Sequence, residues 1–188
     1  QHCYCEGSVM DQYFGAIYTG APFELFGLAH LLANLSILLA IVALIALLRR
    51  DTTGQQRERI RYLLAGVLVV NQLAWDAWQY FNGMWTLAFS MPLQICTLTG
   101  VLCAVLVLTG SYRLFELLYF WGFAGAGNAL ITPDLLSYGF PHFRYWLFFS
   151  AHGAILVALA FMILSHGFRP TWRSVWRAVL LTNCYMAI

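Results

Sequence analysis

The sequence predicts an all-α, polytopic transmembrane bundle of about six helices with its N-terminus outside. Three observations carry that prediction. Hydrophobic residues make up 61% of the 188 and charged residues only 10%, where a soluble domain carries roughly 25% charged. Apolar stretches recur at about the 20-residue length needed to cross a hydrocarbon core of about 30 Å. The arginines, finally, fall almost entirely into alternate loops.

Taken in order, the apolar segments run over 24–48, 61–80, 85–108, 113–132 and 144–164, and a sixth begins near Trp176. Connections are short, one of them the arginine-rich RRDTTGQQRERIR of 49–61, and no linker divides the chain. Residues 10–188 therefore read as a single transmembrane domain, truncated at its C-terminus because Asn183 to Ile188 stops partway along an apolar helix. Residues 1–9, ahead of Met10, read as a non-native or disordered extension without the basic and apolar regions of a signal peptide. The mean hydropathy of +0.71 agrees with membrane burial. A net charge of +2, with no basic stretch in a polar, aromatic-bearing setting, argues against a nucleic-acid partner. All ten basic residues are arginine, a hint of a GC-rich bacterial genome, and together with the apolar spans this leads to the expectation of a multi-pass protein of the bacterial inner (cell) membrane.

The cysteines, Cys3, Cys5, Cys96, Cys103 and Cys184, have neither zinc-site nor disulfide-framework spacing, so no metal and no cofactor is expected. Orientation follows from Arg49, Arg50, Arg57, Arg59, Arg61, Arg113, Arg169, Arg173 and Arg177 on one side against Arg144 on the other. Cytoplasmic loops accumulate such residues, so odd-numbered loops are expected inside. Trp85, Trp146 and Trp172 lie near predicted helix ends, as interfacial aromatics do.

With topology set, polar residues can be ranked by depth, because a polar group inside lipid must face a partner, a cavity or another helix. The first helix carries His30 and Asn34; the second carries Asn71, Gln72, Asp76 and Gln79; the third Gln94, Cys96 and Thr97; the fourth Asn128 and Thr132; the fifth Ser150 and His152. These cluster in the outer half and predict a polar chamber opening outward, above a drier inner half. Pro92 can kink the third helix one turn before Cys96. Arg113 and Glu116 at i, i+3 are expected to pair, and Asp134, His142 and Arg144 either cap the chamber or form a surface salt-bridge cluster. Cys96 and His152 fall at comparable depths, about 16 and 13 Å at 1.5 Å per residue. An imidazole beside a thiol can generate a nucleophilic thiolate, so this pair is the candidate for acyl transfer through a thioester. The competing reading makes Cys96 a small packing residue and His152 a helix–helix hydrogen-bonding residue.

The run SYRLFELLYFWGFAGAGNALITPDLLSYGFPHFRYWLFFSAHG, preceded by MPLQIC and followed by GFRPTW, closely resembles the bacterial YwaF-type integral membrane proteins. The resemblance covers roughly Met10 to Ile188 and departs at Gln94, where those proteins often have His. They in turn are similar to eukaryotic transmembrane ether-phospholipid acyltransferases and, more distantly, to androgen-inducible lipid hydrolases with a Thr or Cys nucleophile and a His. The resemblance implies Cys96 as nucleophile and His152 as general base of a lipid acyltransferase or hydrolase acting on membrane or acyl lipids. Asn128, Gln94 or Gln72 would stabilise the oxyanion, and Asp76 or Asn34 would orient the imidazole. Two other functions stay open. One is a small-molecule or proton-coupled transporter using Asp76, His30 and His152 as proton carriers; the other is a membrane scaffold without catalysis. The sequence names no oligomeric partner.

Overall fold

The computed structural model of the chain describes residues 9–51, 53–86, 94–135 and 137–187, the side chains of Val9 and Asp11 excepted. The described residues form a helical bundle, in agreement with the predicted class. Its elements are α1 (Val9–Phe14), α2 (Leu28–Arg50), α3 (Gln55–Phe81), α4 (Ile95–Thr109), α5 (Tyr112–Phe120), a π-helical turn (Trp121–Ala126), α6 (Gly127–Ile131), α7 (Phe143–His166) and α8 (Trp172–Met186). The π turn joins α5 and α6 into one continuous stretch. Among the described residues three stretches are long and apolar enough to cross a membrane: Leu28–Arg50, Tyr112–Ile131 and Phe143–His166. At 1.5 Å per residue α3 is long enough too, about 40 Å, whereas α4 and α8 reach only about 22 Å each. The Cys-x-Cys of residues 3–5 and Pro92 lie outside the described residues.

The bundle is organised around α7, whose Ala154, Ile155, Ala158, Leu159, Phe161 and Met162 are buried, and which packs on α2, α3, α4 and the π turn. Small residues set these approaches. A Cβ on Gly153 would lie 2.8 Å from Ile37 Cγ1 of α2, and one on Gly122 would lie 2.3 Å from Leu159 Cδ1. Helices without a hydrophobic drive between them come together in lipid through such close contacts. The opposite face of α2 is almost uniformly apolar, Leu31, Leu35, Leu38 and Leu39 being exposed, as a lipid-facing surface requires.

Helix boundaries differ from the predicted ones where capping intervenes. The start of α3 lies six residues before the expected position 61. The cause is Asp51, whose carboxylate accepts from the backbone N–H groups of Gly54 at 2.9 Å and Arg57 at 3.0 Å. It thereby satisfies donors that a helix start leaves unpaired, and it complements the helix dipole. Between α4 and α5, Gly110 adopts φ +64°, which lets α5 begin two residues later at Tyr112.

The end of the bundle near α8 is less dry than expected. Glu116, 4% exposed, accepts from Ser174 Oγ at 2.5 Å and from Arg177 Nη1 at 2.7 Å. The expected pairing with Arg113 is thus replaced by one across helices, because Arg177 and Ser174 of α8 reach the carboxylate directly. Tyr112 Oη donates to the Arg169 carbonyl at 2.7 Å, and Trp121 Nε1 donates to Thr182 Oγ1 at 2.8 Å. These side chains bind α8 and the segment before it along α5 and the π turn.

At the other end, the chain before α2 is strapped across the bundle through its carbonyls. Trp78 Nε1 and Asn82 Nδ2 donate to the Phe14 carbonyl at 2.7 and 3.2 Å, His142 Nε2 bonds the Gly15 carbonyl at 3.1 Å, and Tyr138 Oη donates to Ala16 O. His142 is fully buried, and its Nδ1 accepts the Arg144 N–H at 3.1 Å, capping α7. A carbonyl only accepts, so Nε2 carries the single proton and the ring is neutral. Burial holds its pKa below the usual 6.5, and the neighbouring Arg144 charge acts in the same direction against the Gly15 hydrogen bond. Between the two values the folded chain binds fewer protons here than the unfolded chain. The stability contributed is therefore present above about 6.5 and is lost as pH falls through the depressed folded value. Hydrogen exchange, corrected for its intrinsic pH dependence, should show Arg144 and the strap losing protection below about pH 6.5; His142→Gln should remove that pH dependence.

Candidate functional site

A cavity of about 510 Å³ opens at the strapped end of the bundle, walled by four helical stretches. Its volume is in the range of small-molecule and lipid-headgroup sites. From α3 come Leu68, Asn71, Gln72 and Trp75; from α4 and its N-cap come Gln94, Cys96, Thr97 and Gly100. The π turn and α6 contribute Gly125, Asn128 and Ala129, followed by Thr132 and Asp134, and α7 contributes Arg144, Leu147, Phe148, Ala151, His152 and Ile155. Leu68, Gly100 and Ile155 give the wall an apolar part, beside the amides of Asn71, Gln72, Gln94 and Asn128 and the charges of Asp134 and Arg144. A π turn widens the helix locally and is common at functional sites; here it ends two residues before Asn128.

Cys96 and His152 both face this cavity. Cys96 is half-buried at the second position of α4. The first intrahelical bond onto the N-cap runs from Leu98 N to Gln94 O at 2.8 Å, and the Gln94 side chain makes no cap. Among the described residues the N–H groups of Ile95, Cys96 and Thr97 have no acceptor, and the positive end of the helix dipole sits at the sulfur. Such a helix start favours negative charge on an oxyanion that develops beside it.

His152 is oriented by its own helix. Its Nδ1 lies 2.8 Å from the Phe148 carbonyl, and the ring packs against the Phe148 ring with centroids 4.2 Å apart. The carbonyl fixes the proton on Nδ1, which leaves Nε2 with its lone pair free to accept a proton. Among the described residues no hydrogen bond joins Cys96 Sγ to the ring; bonds of this kind commonly tighten only when substrate is present.

The other expected site residues divide into two groups. Gln72, Gln94 and Asn128 line the cavity, and Gln72 Nε2 donates to both Asp76 carboxylate oxygens at 3.1 Å. Asp76 itself stands behind Gln72 rather than in the wall. His30 and Asn34 do not line the cavity, contrary to expectation. His30 is buried among Phe23, Phe26 and Phe149; Nδ1 accepts the Phe26 N–H at 3.0 Å and Nε2 bonds the Leu130 carbonyl at 2.8 Å. Asn34 Nδ2 donates to the same carbonyl at 3.1 Å. Both residues satisfy a helix-end carbonyl of α6 and moor α2 to it. Neither Asp76 nor Asn34 orients the His152 imidazole; the Phe148 backbone does.

Sequence reasoning missed that backbone carbonyl, and it missed Trp75 and the role of Arg144. The salt-bridge alternative for Asp134, His142 and Arg144 does not form among the described residues. The Arg144 guanidinium instead lies over three rings, 4.6 Å from the Tyr138 centroid, 5.2 Å from Trp75 and 5.7 Å from Trp78. Ser150 Oγ donates to Asn71 Oδ1, pinning α7 to α3 beside the wall.

No curated protein and no solved structure matches the chain. The model of one protein family does match, over residues 25–188, a span that holds every wall residue of the cavity, and the chain belongs to that family, the TMEM164 family of membrane proteins.

Proposed function

We propose that this chain is a membrane-embedded lipid acyltransferase or lipid hydrolase in which His152 activates Cys96. What supports the reading is the presence, in the lining of one cavity, of a thiol at a helix start and an imidazole whose Nε2 is free to take its proton. His152 Nε2 would accept the Cys96 proton as sulfur attacks the carbonyl carbon of a lipid acyl ester. The tetrahedral oxyanion would be met by the open N–H groups at the start of α4, with Gln94 or Asn128 beside it. Collapse would break the ester C–O bond, the leaving alcohol taking the proton back from His152 and the acyl group remaining as a thioester on Cys96. A lysolipid hydroxyl or water, deprotonated by His152, would then attack the thioester, restoring the thiol and releasing a new ester or a fatty acid.

The motif resemblance to YwaF-type proteins and lipid acyltransferases supports the same chemistry, and a bacterial source with a multi-pass inner-membrane location is part of the proposal. So is sidedness: the nine-to-one arginine distribution puts the N-terminus outside, by which the cavity opens outward. The direct test is reaction of the detergent-purified protein with a lipid-like thiol-directed probe, followed by peptide mapping, alongside His152→Ala. Selective labelling of Cys96 over Cys103 and Cys184 that slows by about tenfold or more without His152 is the expected result. Slow, His-independent labelling would return Cys96 to packing and leave transport or scaffolding as the readings to pursue.

A further inference from the structure

The cavity wall contains a cation that the acyl-transfer reading does not use. Arg144 stands at the second position of α7, half-buried and in the wall of the cavity. Its guanidinium is held by Tyr138, Trp75 and Trp78, and among the described residues it has neither a carboxylate within ion-pair distance nor a hydrogen-bond acceptor. A guanidinium has five N–H donors arranged in a fork that matches the oxygens of a phosphate. Contact with ring faces holds the guanidinium in place without using up its N–H donors, which is how an arginine is prepared for an anion rather than merely neutralised. The helix start beneath it adds positive potential. Asp134 lines the same cavity, but no ion pair joins it to Arg144 among the described residues.

We propose that Arg144 is the phosphate anchor of the cavity: it binds the phosphodiester of a glycerophospholipid at the mouth, so that the acyl ester extends inward towards Cys96. This assignment rests on the lipid-ester reading for its second half, but anion binding at Arg144 stands apart from catalysis. It makes phosphate-bearing lipids, rather than neutral acylglycerols, the ligands of this site.

Binding can be measured where no chemistry occurs. In detergent-purified Cys96→Ala protein, a fluorescent lysophospholipid is expected to bind about tenfold or more tighter than the matched monoacylglycerol lacking the phosphate. Arg144→Gln should bring the two affinities together by weakening the phospholipid alone, while Arg144→Lys should retain part of the preference because the charge survives without the stacked fork. Millimolar glycerophosphate or inorganic phosphate should compete with the lysophospholipid weakly and only when Arg144 is present; competition as strong as that of the lipid would make a soluble phosphate compound the ligand and overturn the lipid assignment. No phosphate preference in the parent protein, a preference that persists in Arg144→Gln, or equal weakening of both ligands would overturn the anchor. Absence of lipid turnover by the unsubstituted chain, with the Arg144-dependent preference intact, would instead sink the catalytic reading and leave the anchor standing.

Discussion

Replacing Cys96 by serine is expected to lower steady-state lipid turnover by about 10³-fold or more, with KM little changed. Serine keeps the size and the helix-start position but offers an alcohol in place of a thiol, so the α4 dipole and His152 have far less nucleophile to work on. His152→Ala should fall by a comparable factor. Because the two residues act as a unit, the double variant should lose scarcely more than either single one. Intact-mass analysis of the unsubstituted protein incubated with a phospholipid should show one added acyl chain on Cys96, released by hydroxylamine as a thioester. Equal turnover by Cys96→Ser, or an acyl chain found elsewhere, would show that this thiol is not the nucleophile. His152→Gln offers a further discrimination: it preserves a hydrogen-bonding side chain in the wall but cannot act as a base, so a purely structural histidine would tolerate it and a catalytic one would not.

Much of this arrangement was legible in the sequence, for physical reasons that also explain what was hidden. Hydropathy located the long helices, because lipid demands long apolar spans whatever the tertiary contacts. It located neither the short Val9–Phe14 nor the start of the third span, expected at 85 where 84–86 are not helical. Depth ranking brought Cys96, His152, Gln72, Gln94 and Asn128 to one cavity, since helices crossing the same slab share a depth scale. The same ranking misassigned His30 and Asn34, because depth carries no azimuth: both sit at the right level but turn towards the Leu130 carbonyl. Which partner Glu116 takes was equally invisible, the i, i+3 neighbour Arg113 being displaced by Ser174 and Arg177 from 58 and 61 residues away. A backbone carbonyl such as that of Phe148 leaves no side-chain signature at all. For Arg144 a signal did exist, a lone arginine on the arginine-poor side within an aromatic loop, and its meaning emerged only when the three rings were seen around it.

Gly139→Ala is expected to cost roughly 3 kcal/mol of stability, at the upper end of what overpacking causes. A Cβ at this buried position would lie 2.3 Å from the Ala21 carbonyl oxygen and 2.8 Å from that of Pro22. Both obstacles are backbone, so no rotamer change relieves them, and either the 132–142 loop or the segment before α2 must move. Gly66 in α3 supplies the contrast: nothing lies within 4 Å of a Cβ there, and alanine should be neutral or stabilising by up to about 1 kcal/mol. Thermal unfolding in detergent should therefore move in opposite directions, or fall for Gly139→Ala alone. The consequence reaches the cavity, because Tyr138 and His142 flank Gly139 and hold Ala16 and Gly15 through their side chains. Displacing them removes one ring from beneath Arg144 and the cap from α7. Gly139→Ala should accordingly weaken phosphate-lipid binding while leaving Cys96 labelling by a small neutral thiol reagent nearly unchanged. Unaltered stability would mean that the loop does not pack on residues 21 and 22, and with it the strapped mouth of the cavity would fall.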